Sequence, residues 1–202
     1  MITFEEYSTK ALAFAAPNPY ADMPNNLFDM VHGAVGIGDE IAELSEAIAI
    51  NKDDLVFEET QDLIWFCNLE IVAAGGKFDK ELLAYVSADE PSEYAVKFVA
   101  KYDRNDPTVI ANVLSGLVKK PFAYGGERVV DTAEVIEHTK LILIGCDGLL
   151  SELYPESSPA ERWSNAFEAN LNKLGNSRYK SGKFSQEAEF NRDSEADTKA
   201  AQ

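Results

Sequence analysis

The sequence of residues 39–64 reads DEIAELSEAIAINKDDLVFEETQDLI and decides the fold class. It contains two short acidic pairs, Glu40-x-x-Glu43 and Glu59-x-x-Asp62, which are separated by fifteen residues. A spacing of three residues on a helix places two side chains about 60° apart on one face. Apolar residues recur at helical spacing beside both pairs. The stretch therefore predicts a helical hairpin whose two acidic pairs face a packed interior.

Four carboxylates that face an interior need a counter-charge. Two like charges about 4 Å apart repel by about 4 kcal/mol at an effective dielectric near 20. Either some of the four are protonated or a cation lies among them, and oxygen-only ligands suit Mg²⁺ or Mn²⁺. The alternative is that both helix faces are solvated and carry acidic pairs by chance. If the sequence held only one such pair, this alternative would be favoured. Two pairs, each beside an apolar stripe and one hairpin apart, favour the metal site.

At these residues the sequence resembles the all-α nucleoside triphosphate pyrophosphohydrolases of the MazG-like family, which includes the dimeric dUTPases. The ExxE and ExxD motifs of that family stand here as Glu40-Ile-Ala-Glu43 and Glu59-Thr-Gln-Asp62. Its phage members carry a Leu-His-small-small-x-Gly run before the first motif. The corresponding run here is residues 30–36, MVHGAVG.

A second matching block lies near the C-terminus. Phage-type members of the family end with an Asn-x-x-Lys helix, an Arg-Tyr pair, a Gly-x-Phe loop and a final Asn-Arg-Asp tripeptide. The counterparts in this sequence are Asn170-x-x-Lys173, Arg178-Tyr179, residues 182–184 and residues 191–193. The resemblance covers residues 28–66 and 163–193 and is absent between them.

The resemblance implies hydrolysis of a nucleoside triphosphate between its α and β phosphates, giving a monophosphate and pyrophosphate, in control of a dNTP pool. Glu40, Glu43, Glu59 and Asp62 would be catalytic and would hold Mg²⁺ (or Mn²⁺), with Asp39 helping to position metal or water. The residues expected to bind substrate are His32, Asn170, Lys173, Arg178 and Tyr179. Because short relatives complete their bundle by pairing chains, a homodimer or homotetramer is expected.

The residues at the C-terminal block also allow an interpretation of their own. Asn170 and Lys173 share a helix face, where an amide and an ammonium group can meet a phosphate, and Arg178 can pair with phosphate oxygens in a bidentate way. An ordinary polar helix end with a basic last turn is the alternative. Two other classes of function stay open: a non-catalytic helical sensor of nucleotide and metal, and an acidic interaction protein.

Composition limits the partners and the location. A formal net charge of −17 repels nucleic-acid backbones, so no nucleic acid is expected as a partner. No apolar run is long enough to span a bilayer, and the first residues, MITFEEYSTK, lack the features of a signal peptide. We therefore expect a cytoplasmic protein without a membrane partner, in the host cytoplasm if the protein is viral. Cys67 and Cys146, in apolar contexts, predict buried free thiols.

The chain of 202 residues is long enough for one domain with a sizeable core. We expect an all-α helical bundle of the MazG-like type over residues 1–193, with a mostly helical insertion at about 77–130 and a disordered tail at 194–202. Helices are predicted over residues 3–16, 27–50, 54–74, 79–86, 92–102, 107–118, 131–154 and 159–174.

The insertion is expected to tune substrate choice without carrying the chemistry. Its aromatic and amide groups that can stack on or hydrogen-bond a base are Tyr94, Tyr102, Asn112, Phe122 and Tyr124. Turns are predicted at residues 119–121 and 124–126. Lys119, Lys120 and Arg128 form a basic island, which is either a solvated turn or a contact for phosphate or base.

Overall fold

The computed structural model describes residues 1–88, 107–124, 129–179 and 184–185, apart from the side chains of Pro107, Ser177 and Arg178. The described residues form seven α-helices and no strand, which confirms the all-α fold class. The helices are α1 (Phe4–Ala11), α2 (Asn25–Ala49), α3 (Asp53–Ala73), α4 (Lys80–Val86), α5 (Pro107–Tyr124), α6 (Thr132–Leu153) and α7 (Pro159–Asn172). A 3₁₀ turn (Leu12–Phe14) follows α1, and a π-helical segment (Lys173–Arg178) follows α7.

Four long helices form a closed ring. The short connection between α2 and α3 contains Asn51 at φ 53°, a left-handed conformation that Asn tolerates better than most residues, and it makes the two helices antiparallel neighbours. Helix α2 packs against α3 and α5, α3 packs against α6, and α5 packs against α6. The predicted hairpin is therefore present, and α5 closes the ring over it.

Helix α3 is the central element of the molecule. Fourteen of its 21 residues are buried, on every side of the helix, because α2, α6 and α7 all pack against it. Several of the buried side chains are polar, and they include Glu58 and Asp62. A helix that is covered on all sides can carry charged groups only where other groups of the chain compensate them. The charges on α3 therefore need named partners.

The helix ends follow the expected local chemistry. Thr3 and Glu6 form a capping box at the start of α1, and Asp131 and Ser158 cap α6 and α7. Helix α3 ends with Gly75 at φ 85°, where the Gly76 amide donates to the Ile71 carbonyl at 2.8 Å and the Gly75 amide to the Val72 carbonyl at 3.0 Å. These caps fix the starts of α1, α6 and α7 and the end of α3.

Two predicted boundaries are wrong. The first helix ends at Ala11 and gives way to the 3₁₀ turn, so it does not run to residue 16. Residues 119–121 are not a turn: α5 continues through Pro121 to Tyr124, because the φ that proline imposes is that of a helix and only one backbone hydrogen bond is lost. The expected helix at 92–102, the turn at 124–126 beyond Tyr124, and the tail lie outside the described residues.

Two further expectations concern the interior and the membrane. Cys67 and Cys146 are buried free thiols, as predicted. Burial raises the pKa of the Cys146 thiol to about 12. In the part of the chain that the structure describes, no helix combines the length and the apolar character needed to span a bilayer.

Candidate active site

Three carboxylates from α2 and α3 converge at one place. Glu40 and Glu43 lie on α2 and Glu59 on α3, and each offers an oxygen atom within 4.8 Å of the others. Glu40 and Glu59 are partly buried, whereas Glu43 is exposed. The Oε2 atom of Glu40 is buried and has no hydrogen-bond partner among the described residues. A donor set of carboxylate oxygens with a buried, unpaired oxygen fits a hard divalent cation such as Mg²⁺ or Mn²⁺.

The convergence raises the pKa values of two of these groups. The pKa of Glu40 rises from 4.5 to about 9, first because the group is buried and then because of the negative charges of Asp62, Glu43 and Glu59. The pKa of Glu59 rises to about 7, again mainly because of burial and then because of Asp62, Glu58 and Glu43. Lys173 opposes both shifts. Without a metal ion, the cluster therefore retains protons at neutral pH.

The metal-free protein should lose stability as the pH rises. The folded-state pKa values of Glu40 (about 9) and Glu59 (about 7) lie above their ordinary value of 4.5, so the folded state binds more protons than the unfolded state in this range. Their contribution is complete below pH 4.5 and disappears as the pH passes about 7 for Glu59 and about 9 for Glu40. Thermal unfolding in a chelator, compared at about pH 5.5 and about pH 9, measures this loss.

The control for that measurement is the double variant Glu40→Gln/Glu59→Gln. Its dependence of melting temperature on pH should be clearly flatter than that of the wild-type protein. A residual slope of the same sign is expected from Glu70, whose pKa burial also raises well above its ordinary value. Equal slopes for the double variant and the wild-type protein would show that burial and the neighbouring charges do not raise the pKa values of Glu40 and Glu59 in this way.

The fourth carboxylate of the two motifs has a different environment. Asp62 is buried, and both of its oxygens accept hydrogen bonds: Oδ1 from Asn170 Nδ2 at 3.1 Å and Oδ2 from Lys173 Nζ at 2.5 Å. Lys173 is completely buried and its ammonium also lies 3.5 Å from a carboxylate oxygen of Glu58. The single charge of Lys173 is thus shared by two buried carboxylates of α3.

The structure places four of the expected site residues away from the buried carboxylates or from the cavity wall. Glu43 does not face the interior, because it lies about 60° further round α2 than Glu40 and so at the edge of the buried face. Asp39 is exposed and is outside the converging group. Lys173 contacts carboxylates inside the bundle, and among the described residues that line the cavity below neither it nor Asn170 appears.

A cavity of about 270 Å³ adjoins the carboxylates. Glu40 and Asp62 form its polar wall, and most of the remaining wall is aromatic. Its other described lining residues are Phe14, Ala16, His32, Trp65, Phe66, Leu174, Tyr179 and Phe184. Such a site, largely apolar with a few charged groups at one end, is the usual form of a small-molecule site.

Neighbouring elements hold the aromatic wall in place. His32 makes edge-on contacts with Trp65 and Phe66, with ring centroids 6.0 and 5.6 Å apart. The Trp65 indole N–H donates to the Ala11 carbonyl at 3.1 Å, which ties this wall to the end of α1. On the other side Tyr179 stacks on Phe14, with centroids 5.8 Å apart. Rings held in this way can receive a flat ligand without first being ordered.

The glycines of α2 leave room for that wall. A Cβ atom at Gly36 would collide with the ring of Phe66, whereas a Cβ atom at Gly38 would meet no atom of the described residues within 4 Å. Close packing therefore requires glycine at position 36 and at position 33, where the side chain of Glu70 lies, but not at position 38.

Gly36→Ala should lower the free energy of unfolding by about 1–3 kcal/mol, because Phe66 must move from its position in the cavity wall. Gly38→Ala is the matched control and should be neutral or stabilise the protein by up to about 1 kcal/mol, since alanine is the better helix former. Urea unfolding of the two variants provides the comparison. Similar effects at the two positions would contradict the packing described here.

Of the residues expected to bind substrate, His32 and Tyr179 line the cavity, but most of its wall was not predicted. Trp65 and Phe66 belong to that wall, and their spacing of three and four residues from Asp62, which places them on its side of α3, is the signal that could have indicated them. The insertion was expected to hold the base-selecting groups. Asn112, Phe122 and Tyr124 are exposed and none of them lines the cavity, while Tyr94 and Tyr102 lie outside the described residues.

Comparison with known proteins adds no assignment: no family model, no curated protein and no solved structure matches this chain.

Proposed function

We propose that the protein is a metal-dependent nucleoside triphosphate pyrophosphohydrolase, which converts a (d)NTP and water into the monophosphate and pyrophosphate and controls a dNTP pool in the cytoplasm. One observation carries the proposal: Glu40 belongs both to the converging carboxylates and to the wall of the aromatic cavity. A ligand with a flat ring in this cavity would direct its charged end toward the carboxylates. Nucleotides have this combination of a stacking base and a polyphosphate.

Glu40, Glu43 and Glu59 are the candidate ligands of Mg²⁺ or Mn²⁺. When bound, such ions would neutralise phosphate charge and lower the pKa of a water molecule. Residues that are not candidate metal ligands would also contribute. Asp62, which two donors hold in place, adds negative charge beside Glu40, and this charge favours a cation at the cluster.

The aromatic residues would bind the base. His32, Trp65 and Phe66 form one side of the cavity and Tyr179 the other, so a base can stack between them. We keep Arg178 as a candidate for the phosphates, because it precedes Tyr179 in the chain. The volume of about 270 Å³ is just below the usual range for ligand pockets, which favours one ring system over a large ligand.

Pyrophosphate release from the eight common ribo- and deoxyribonucleoside triphosphates, with Mg²⁺ and with Mn²⁺, tests the proposal. In ¹⁸O-labelled water the label should appear in the monophosphate, because attack at the α phosphorus leaves pyrophosphate unlabelled. Release of single phosphate, or label in pyrophosphate, would refute this reaction. Absence of any release, with nucleotide-dependent thermal stabilisation, would favour a non-catalytic sensor, and absence of any nucleotide or metal effect an acidic interaction protein.

One observation favours the non-catalytic sensor as a second candidate. Lys173 and Asn170 occupy both oxygens of Asp62, and among the described residues only the other three motif carboxylates have oxygens within 4.8 Å of one another. A site of three carboxylates can bind a cation and a nucleotide without turnover. The labelled-water experiment separates the two functions.

Assembly remains a prediction. We retain the homodimer or homotetramer as the proposed state, with exposed apolar residues such as Val35, Ile48 and Ile50 as its candidate contacts on and beside α2. Helix α5 packs against α2 and so covers part of the surface that a partner chain would otherwise cover. Light scattering at micromolar concentration measures the state, and a monomer would refute the proposal.

A further inference from the structure

Tyr7 of α1 is connected to Asp62 through one intermediate side chain. Its hydroxyl group donates to Asn170 Oδ1 at 2.9 Å, and Asn170 Nδ2 donates to Asp62 Oδ1 at 3.1 Å. All three side chains are buried, and Tyr7 has no exposed surface. The path joins α1, α7 and α3, three elements that are far apart in the sequence.

Hydrogen-bond chemistry permits only one direction along this path. The ionised carboxylate of Asp62 only accepts hydrogen bonds, so the amide nitrogen of Asn170 must point toward it. The amide oxygen then points at Tyr7, which must donate. Burial raises the pKa of Tyr7 well above 10, and the nearby charge of Asp62 raises it further, so the phenol keeps the proton that it donates.

We propose that Tyr7 is a positioning residue, which orients the amide of Asn170 and thereby holds the carboxylate of Asp62 at the polar wall of the cavity. The inference rests on the proposed function insofar as the charge of Asp62 beside Glu40 favours metal binding there. Without the hydroxyl group, the buried Oδ1 atom of Asn170 loses its donor, and the amide is held only at its nitrogen. An amide that moves to recover a donor leaves Asp62 held by Lys173 alone.

The packing of Tyr7 makes a clean variant possible. Its ring stacks on Phe167 with centroids 4.1 Å apart and an interplanar angle of 12°, and it also lies against Phe78. Tyr7→Phe keeps these ring contacts and removes only the hydroxyl group. Tyr85→Phe is the matched control, since the Tyr85 hydroxyl donates to Glu137 at 3.4 Å on the side of the molecule formed by α4 and α6.

The first experiment needs no catalysis. Melting temperatures of the metal-free wild-type protein, Tyr7→Phe, Asp62→Asn and the double variant form a cycle. We expect Tyr7→Phe to lower the melting temperature at least twice as much in the wild-type background as beside Asp62→Asn, because a neutral amide in place of the carboxylate can accept or donate and tolerates either orientation of the Asn170 amide. Equal shifts in the two backgrounds would overturn the inference, since the hydroxyl would then act only on its immediate surroundings.

The second experiment measures metal dependence. Tyr7→Phe should raise the Mn²⁺ concentration for half-maximal pyrophosphate release about 10- to 100-fold, the usual effect of losing a residue that supports the surroundings of a metal site. Combined with Asn170→Ala it should have no further effect, and Tyr85→Phe should leave the value unchanged. An unchanged value in Tyr7→Phe, or additive effects, overturns the inference while the proposed function stands. If the thermal cycle shows coupling but the wild-type protein releases no pyrophosphate, the inference is supported and the proposed function is refuted.

Discussion

Replacing Lys173 with methionine is expected to lower the free energy of unfolding of the metal-free protein by about 3–5 kcal/mol. Methionine has a similar volume, so the packing is largely kept. The loss arises because Asp62 and Glu58 remain buried without their shared cation, which lies 2.5 and 3.5 Å from their oxygens. Urea unfolding in a chelator measures the change.

Two further variants show whether that loss is electrostatic. Lys140→Met removes an ion pair of 2.6 Å with Glu137, but the Lys140 side chain is 24% exposed, so a loss below about 1 kcal/mol is expected. Adding Asp62→Asn to Lys173→Met should restore part of the stability, because one of the two uncompensated charges is removed. A loss at Lys173 no larger than that at Lys140 would mean that the buried charges find compensation elsewhere.

The largest expected effect on activity is that of Glu40→Gln, which should reduce pyrophosphate release at least about 100-fold. Glutamine has the shape of the protonated carboxyl group that burial favours at this position, where the pKa is about 9. The fold should therefore survive, while a charged oxygen is lost from the candidate metal site. Mg²⁺ is expected to raise the melting temperature of the wild-type protein, and in Glu40→Gln this rise should disappear together with the activity.

Glu46→Gln is the control for this variant, because Glu46 is an exposed residue of the same helix. It should retain the activity and the thermal response to Mg²⁺ of the wild-type protein. Circular dichroism establishes that both variants are folded. Full activity in Glu40→Gln would remove the observation on which the proposed function rests, since among the described residues Glu40 alone belongs to both the carboxylate group and the cavity wall.

The helices could be predicted because their signals are local. Apolar residues at helical spacing and capping residues such as Thr3, Asp131 and Ser158 act within one or two turns, so the sequence contains what decides them. The end of α5 was predicted wrongly because local signals do not decide it. A helix can end before a proline or continue through it, and the tertiary packing of α5 determines that it continues through Pro121.

The candidate site could be predicted only in part. The convergence of Glu40 with Glu59 follows from two adjacent helices, which a motif pair on a hairpin indicates. The partners of Asp62 are 108 and 111 residues further along the chain, and no local pattern reports such a contact. The cavity was missed because an aromatic residue at helical spacing, such as Phe66, looks the same in sequence whether it fills a core or lines a void.

The closing of the ring by α5 has a consequence for how this protein can change over time. When two copies of one hairpin form a bundle, each substitution enters both halves at once and must suit both. Here α2 faces a different helix of the same chain: α2 carries Asp29, Asp39, Glu40, Glu43 and Glu46, whereas α5 contains no acidic residue. The helices that carry the carboxylates can therefore keep them while the sequence of α5 changes independently during evolution.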